Sequence, residues 1–478
     1  MPATTTPVRS GLVLLITACA QFLVILDETV VNVALPSISR DLGFASASSL
    51  AWVIDAYMLL FGGFLILGGR SADLFGRRRV FLVGLSLFVL ASLVSATTHT
   101  AAVLVVARGA QGLGAALLSP AALSILVTAF TDLAERRRAL GIWGGLAGIS
   151  GVTGVVLGGI LTDTASWRWI FLINIPIGLA LAAVARAAVP PDSPARRPGR
   201  LDSVGATLVS AGLLTLVYSV ISTAHRPWTH PLTLGGLTLA AVLLIVFVLR
   251  ESRTDEPLIR LRLFAHRATS VANVMMILGA AGLYAIFFFI TLYMQVVHAW
   301  SPLRSGLSFV PIGISIAVFS GVAIQLMPRA GARTLLITGL TLAAVGQLLL
   351  LRTTVDGSYL TQLLPCLVLI GCGYGLSLVP LVTAAVSGLR PDEAGAGSGL
   401  INTAQQAGGA IGIAALATVA TSRFEHALVT SAPRDAMVTG FHTAWLLGAA
   451  VTVAAALIAL LLPPLRSEVD AAALQGAA

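Results

Sequence analysis

Four ionisable side chains stand inside otherwise apolar stretches: Asp27 and Glu28 in the first, Asp55 in the second and Arg108 in the fourth. Each costs about 3 kcal/mol on insertion scales at the centre of a bilayer, so each is a functional candidate. Three acids face one base, so at least one acid lacks a cationic partner within the set. Burial favours the neutral form of such an acid, which can then load and unload a proton. Arg108 would be the counter-charge whose pairing changes when a proton or a cationic substrate arrives. The competing reading is an acid–arginine cluster that neutralises itself for packing. With a rise of about 1.5 Å per residue, Asp27 and Glu28 lie roughly 12 Å below the outer end of their stretch, and Asp55 and Arg108 roughly 8–10 Å below theirs. That puts all four in one layer.

Helical phase separates the two neighbouring acids. Gln21, Glu28 and Asn32 share one partly polar stripe, whereas Asp27 lies about 100° round with Leu23, Val31 and Ala34. Both faces could border a wide cavity. Further neutral polar groups, Gln111 in the fourth stretch and Asn402, Gln405 and Gln406 in the thirteenth, are candidates to line it; for the last three, hydrogen bonds between helices are the alternative use. Gly151, Gly154, Gly158 and Gly159 form a small-residue stripe suited to close helix contact, and Gly408, Gly409 and Gly412 repeat the device in the second half.

The elements that must hold these groups are membrane helices. Hydrophobic residues make up 57% of the 478-residue chain, charged residues 10%, and the mean hydropathy is +0.94. That leaves too little polar surface for a soluble protein of this size. Fourteen apolar stretches of spanning length occur, at 11–35, 49–69, 80–97, 102–124, 139–162, 169–189, 203–222, 232–250, 269–297, 305–327, 334–351, 360–386, 397–421 and 440–463. The apolar run from Gly11 is too long for a cleavable signal and reads as the first span. All 29 positive residues are arginine; with the amino terminus inside, 21 lie on inner segments, seven on outer ones, and Arg108 within a span. That bias sets both termini in the cytoplasm. Topology therefore accounts for the net charge of +9, and no basic, aromatic-interleaved face suggests nucleic acid.

Between the second and third stretches lies a charged turn, Gly69 to Arg79, read as a connection of about ten residues between antiparallel neighbours. Gly69, Asp73, Gly76, Arg77 and Arg78 are its candidate gate residues. Asp73 adds something beyond topology, since an acid contributes little to orientation. The chain divides into an amino-terminal six-helix bundle (1–189), a Pro- and Arg-rich linker with two additional spans (190–268), and a carboxy-terminal six-helix bundle (269–478). A faint internal repeat supports the division: the segment from Gln111 to Pro120 is echoed from Gly371 to Pro380, without a counterpart for Arg108. Cys19, Cys366 and Cys372 form no even framework, and no metal-ligand spacing or phosphate-binding loop occurs. Neither an ordinary enzyme nor a metal site is expected.

These motifs together resemble the major facilitator superfamily, in its fourteen-helix drug:proton antiporter branch, over essentially the whole chain. The hinge is similar to the loop motif G-x-L-a-D-r-x-G-r-k at Gly69, Ala72, Asp73, Gly76, Arg77 and Arg78, with Ser71 and Leu74 departing from it. Leu104 to Gly114 matches the fourth-helix motif l-x-x-x-R-x-x-q-G-x-g, and Leu26 to Pro36 the first-helix motif, whose acid falls on Asp27. Trp167 to Gly178 is similar to the branch's sixth-helix signature. The fifth-helix antiporter motif is departed from: Ser150 to Gly159 lacks its first glycine and its proline, while Gly154, Gly158 and Gly159 remain.

The resemblance implies an all-α polytopic fold of two six-helix bundles plus two inserted helices. It implies proton-coupled efflux of amphipathic drugs or antibiotics across the cytoplasmic membrane by alternating access. Asp27, Glu28, Asp55 and Arg108 would couple the proton, no cofactor would be needed, and the protein would act as a monomer in the bilayer. Few acids lie in the second half, which favours neutral or monovalent substrates. The alternatives are a dedicated exporter of one endogenous metabolite and, from a different class, a non-transporting membrane receptor.

Overall fold

The computed structural model describes residues 7–44, 47–130, 132–190, 202–224, 226–254, 261–387 and 394–463; among them there is no strand. Fifteen α-helices follow one another: α1 (Pro7–Leu42), α2 (Ala47–Phe75), α3 (Arg77–Thr97), α4 (Ala101–Ala129), α5 (Leu133–Thr164), α6 (Trp169–Leu172), α7 (Asn174–Ala188), α8 (Ser203–Ile221), α9 (Pro231–Glu251), α10 (Arg267–Leu292), α11 (Pro302–Ser308), α12 (Val310–Leu349), α13 (Leu364–Val386), α14 (Ala394–Ala427) and α15 (Pro433–Ile458). Most are far longer than a turn-rich soluble fold requires, because a backbone in lipid must satisfy its own hydrogen bonds.

Eleven described helical segments are long and apolar enough to cross a membrane, and Val204–Val220 is a shorter apolar helix. One of the eleven, Pro302–Arg352, runs for 51 residues and contains two of the expected stretches. It bends at Gly331, where φ is 75° and ψ is 153°. Glycine takes such a conformation without a steric cost, and the helix is interrupted there. The remaining expected stretch, 139–162, lies within the glycine-rich α5.

The charged turn between α2 and α3 is shorter than its composition suggests. Gly69, Arg70, Ser71 and Asp73 continue α2, Arg77 and Arg78 open α3, and Gly76 alone separates the helices at φ 99° and ψ 133°. The expected ten-residue connection is thus one residue long. Side chains with hydrogen-bonding capacity do not end a helix when the backbone can keep its own bonds; the left-handed glycine does. Arg78 Nη2 donates to the carbonyl of Arg186 in the last turn of α7, 2.7 Å away. The bond anchors the turn where a helix end needs a donor. The Asp73 side chain lies outside the described residues, as do 191–201 and 255–260 of the two longer connections rich in Pro and Arg.

The chain forms two compact units, Met1–Arg260 with Ile290–Val310, and Leu261–Phe289 with Pro311–Ala478. This division differs from the three segments read in the sequence at two places. The inserted pair α8 and α9 packs with the first unit: a Cβ on Gly63 of α2 would sit 3.1 Å from Leu214 of α8, and the Trp52 and Tyr218 rings are 5.8 Å apart. Ile290–Val310 also joins it. There Gln295 donates to the Val33 carbonyl of α1 at 3.0 Å, and Gly306 of α11 lies against the Val155 carbonyl of α5.

The α8–α9 hairpin is tied where α8 begins and α9 ends. Asp202 caps α8 by accepting from the Gly205 N–H at 2.9 Å, and Arg250 in the last turn of α9 donates to both its oxygens at 2.8–3.0 Å. The first contact satisfies a donor that a helix start leaves open, and the second is a charge-assisted pair. The Arg250 guanidinium, with the Gly205 N–H behind it, holds the Asp202 carboxyl below the usual carboxylate range. A lowered native value stabilises the fold above the ordinary carboxylate range, about pH 4, and that contribution fades as pH falls through the lowered value. Asp202→Asn should therefore melt below the wild type at pH 7, with the gap narrowing as pH falls below about 4. A gap independent of pH, measured by thermal unfolding in detergent, would refute the ionic tie.

Packing in the second unit repeats that of the first. In α4, Gly112 meets the Tyr57 backbone of α2 and Gly114 meets Gly84 and Phe88 of α3. In α13, Gly371 meets Ile312 in the first part of α12 and Gly373 meets Gly339 and Ala343 in its second part. These contacts set Gly112 opposite Gly371, one residue out of step with the echo read in the sequence. Arg108 then corresponds to Leu367, and Ser92 to Gln347.

Candidate functional site: a buried ion pair between α1 and α4

The glycines of α4 create the site. Because Gly112 has no side chain, α4 lies against the backbone of α2, and Arg108, one turn earlier, is carried into the core beside Val53 and Tyr57. Arg108 is 0% exposed, as is Asp27 of α1. Their ion pair, Nη1 to Oδ2, is 2.5 Å long. Arg108 Nε donates to the Val53 carbonyl at 3.0 Å, and Nη1 also reaches Gln111 Oε1 at 2.8 Å. Its guanidinium carbon lies 4.4 Å from the centre of the Tyr57 ring and 5.7 Å from that of Phe171. A weakly hydrated, delocalised cation suits such a stacked, dry environment better than an ammonium.

Asp27 is held on its other oxygen. Gln111 Nε2 and Asn174 Nδ2 both donate to Oδ1 at 2.6 Å, and both also reach Ser92 Oγ, at 2.7 and 3.3 Å. Six elements converge on one ion pair: α1 supplies the carboxylate, α4 the cation and one amide, α7 the second amide, α3 the hydroxyl, α2 the carbonyl and the Tyr57 ring, and α6 the Phe171 ring. The carboxylate is fully paired and hydrogen-bonded, the condition under which a buried charge is tolerated. Adding a proton to it would remove the charge that Arg108 faces, leaving the guanidinium uncompensated.

The other candidates are distributed around this pair. Glu28, next to Asp27, is buried at 6% exposure and is not a partner of Arg108. Asp55 is buried at 1%, does not join the cluster, and its Oδ1 has no hydrogen-bond partner among the described residues. The layer expected to hold all four charges therefore resolves into one ion pair and two acids outside it. Gln111, expected on a cavity wall, is instead fully buried within the cluster, because its amide is consumed by Asp27, Arg108 and Ser92. Gln21 accepts from Ser119 of α4 at 2.8 Å, a tie between helices, and Asn32 bonds back to the Glu28 and Thr29 carbonyls of its own helix.

The α5 stripe begins at Gly154. A Cβ there would collide with Thr29 and come within 2.8 Å of the Leu26 carbonyl, and one on Gly158 would lie 2.5 Å from the Val30 carbonyl, so α5 lies on the α1 turns that carry Asp27 and Glu28. Gly159 approaches Pro302 and Leu303. Gly151 is different: a Cβ on it would meet no described atom within 4 Å, so the expected packing role at this position is not borne by its geometry.

Ser92, Asn174, Tyr57 and Phe171 are the residues that sequence reasoning did not single out. Asn174 had a legible signal, being the one amide in the apolar stretch 169–189. Ser92 did not, since a serine satisfies itself on its own helix in most spans. Just before α6 in the same unit, Arg168 pairs with Asp41 at 2.5 Å and donates to the Thr98 carbonyl at 3.1 Å, while Trp167 Nε1 donates to Asp41 at 2.9 Å. Among the described residues no group of His, Cys, Asp and Glu could hold a metal, and the three cysteines are free thiols.

Comparison with known proteins places this arrangement. The chain is 41% identical over 466 residues to the puromycin resistance protein of Streptomyces alboniger, covering 96% of this chain and 92% of that one. It is 41% identical over 414 residues to the cephamycin export protein of Amycolatopsis lactamdurans, covering 85% of each. Among solved structures, a bacterial homolog of the human lysosomal transporter Spinster superposes with a TM-score of 0.66 at 15% identity, over 96% of this chain and 98% of that one. The human organic anion transporter TETRAN does so with a TM-score of 0.63 at 16% identity, over 96% and 100%. The model of the Major Facilitator Superfamily matches residues 17–413, and with those relatives it shows that this multi-pass membrane chain belongs to that superfamily.

Proposed function

We propose that the protein exports amphipathic small molecules, antibiotics among them, across the cell membrane in exchange for protons, by alternating access and without a cofactor. The observation that carries the reading is the Asp27–Arg108 pair, a carboxylate and a guanidinium both fully buried and held by groups from neighbouring helices. Proton arrival on Asp27 frees Arg108, and the loss of that tie between α1 and α4 is the event transmitted to the rest of the first unit. Asp55 and Glu28 are further proton sites in this reading, Asp55 because it is buried with no counter-charge among the described residues. Gly69, Asp73, Gly76, Arg77 and Arg78 act as the inner gate, with Arg78 on the end of α7 as its anchor. Both termini are cytoplasmic, the two units with the inserted pair make fourteen spans, and one chain suffices for transport.

The relatives named for puromycin resistance and multidrug resistance support the drug-efflux reading. A second reading, export of one self-made compound, is supported by relatives named for cephamycin export and for tetracenomycin C resistance and export. The energy source is the same in both. One proton entering down 100 mV supplies about 2.3 kcal/mol, which sustains roughly 50-fold accumulation of a neutral substrate per proton.

The test is transport of puromycin into proteoliposomes with an imposed proton gradient, read beside the pH of the lumen. Wild type should move puromycin and protons in opposite directions. Asp27→Asn should stop both fluxes while still binding the drug. Puromycin transport at the same rate with and without the gradient would overturn proton coupling.

A further inference from the structure

The second unit contains no counterpart of the ion pair among its described residues. Its equivalent place is occupied by neutral groups: Gln347 Nε2 donates to Thr452 Oγ1 at 3.0 Å and to Tyr374 OH at 3.3 Å, and Tyr374 OH donates to the Gly279 carbonyl at 3.2 Å. These groups satisfy one another and tie α10, α12, α13 and α15 together. A second neutral cluster in the same unit is not satisfied. Tyr284 OH of α10 donates to Gln406 Oε1 of α14 at 3.4 Å, and Gln405 Nε2 donates to Tyr284 OH at 3.4 Å. Gln406 is 4% exposed, yet its Nε2 has no hydrogen-bond partner among the described residues.

A buried amide N–H with no partner is destabilising, and a helix contact made only for packing would be better served by leucine or alanine. Both of these bonds are at the long end of the hydrogen-bonding range, so the amides are loosely held through them. Gln405, Tyr284 and Asn402 are all partly exposed around the buried Gln406. Asn402, Gln405 and Gln406 share one side of α14 by their spacing. The backbone beside them is fixed: Gly408 and Gly412 lie against the backbones of Ile277 and Ala281, so α10 and α14 cannot move apart locally without losing that contact. From 268 to 289 on α10 and from 394 to 422 on α14 there is no Asp, Glu, Lys, Arg or His, so these segments offer no carboxylate to a cation.

We infer that Gln405, Gln406 and Tyr284 form a neutral hydrogen-bonding subsite on α10 and α14 that receives a carbonyl or ether oxygen of the exported molecule. Selection in this unit is by an acceptor oxygen and not by positive charge. The spare N–H of Gln406 donates to that oxygen, and Gln405 turns from Tyr284 to supply a second donor. The inference rests on the efflux reading for the molecule being cargo, while the subsite itself is tested by binding alone.

The experiment is equilibrium binding to the full-length protein in lipid nanodiscs without a proton gradient. Three probes are used: puromycin and chloramphenicol, which carry amide carbonyls, and ethidium, a permanent cation with no oxygen atom. Gln406→Leu should weaken puromycin and chloramphenicol about tenfold, the value of one hydrogen bond, and leave ethidium unchanged. Gln406→Glu, which removes the donor and adds a carboxylate, should weaken the two oxygen-bearing probes and strengthen ethidium. Equal losses for all three probes, no change for any, or a wild type that binds neither oxygen-bearing probe would overturn the subsite. Asp27→Asn should keep the wild-type order of affinities, so a failure of proton coupling and a failure of the subsite appear in different variants.

Discussion

Arg108→Met should destabilise the protein by about 3–5 kcal/mol, the cost of stranding one partner of a buried ion pair. The Asp27 carboxylate would retain the Gln111 and Asn174 amides but lose its cation, in a core where neither group is exposed. Methionine fills much of the arginine volume, so the loss is electrostatic and not a cavity. Asp27→Asn alone strands Arg108 in the same way, with the Val53 carbonyl, Gln111 Oε1 and the Tyr57 and Phe171 rings as its remaining support. The double variant, Asp27→Asn with Arg108→Met, should recover most of the loss, because replacing a whole buried pair by neutral groups of similar size is close to neutral. Thermal or denaturant unfolding of the four proteins in one detergent gives the coupling energy as a double-mutant cycle. Additive single effects would show that the pair is not the bond that holds α1 to α4. Transport should not recover with stability, because the double variant has no carboxylate at position 27 to part from Arg108.

Membrane residence and the spacing of spans were legible because they depend on properties that are local in sequence. An apolar run of spanning length needs no partner to be recognised, and the arginine bias of the connections is additive along the chain. Helix ends were less legible. The charged segment Gly69 to Arg79 looks like a loop by composition, yet polar side chains at a membrane surface are compatible with helix, and the backbone breaks only where Gly76 takes a positive φ. The kink at Gly331 was hidden for the same reason: a single dihedral decides it, and glycine is too frequent in this chain for each one to be a signal.

Charges were legible as a set but not as pairs. Asp27 and Glu28 differ by about 100° around α1, and phase relative to their own helix says nothing about which side α4 will occupy. The choice is made by α4, whose close approach at Gly112 brings Arg108 to the Asp27 side. The type of Gln111 suits a substrate and a carboxylate equally, and only the burial of Asp27 beside it shows which partner it takes here. The α10–α14 amides illustrate the converse. Gln405 and Gln406 were read as substrate contacts or helix ties, and the unpartnered Nε2 is the feature that separates the two.

The same dependence of the site on a backbone contact makes Gly112 a sensitive uncharged position in the first unit. A Cβ there would overlap the Tyr57 carbonyl oxygen and lie 2.9 Å from its carbon, atoms that cannot move without moving α2. Alanine ordinarily favours a helix over glycine by about 1 kcal/mol, so Gly112→Ala opposes a gain in propensity with a loss in fit of about 1–3 kcal/mol or more. The balance should be a net destabilisation, accompanied by loss of transport. Pushing α2 away carries off the Val53 carbonyl that Arg108 Nε uses and the Tyr57 ring beneath its guanidinium. Gly151→Ala provides the matched control, since a Cβ at that position meets no described atom within 4 Å; it should be neutral or slightly stabilising. Melting temperature and puromycin transport of the two variants, purified side by side, test the contrast. Were Gly112→Ala to melt with wild type while transporting normally, the approach of α4 to α2 could not be what carries Arg108 into the core.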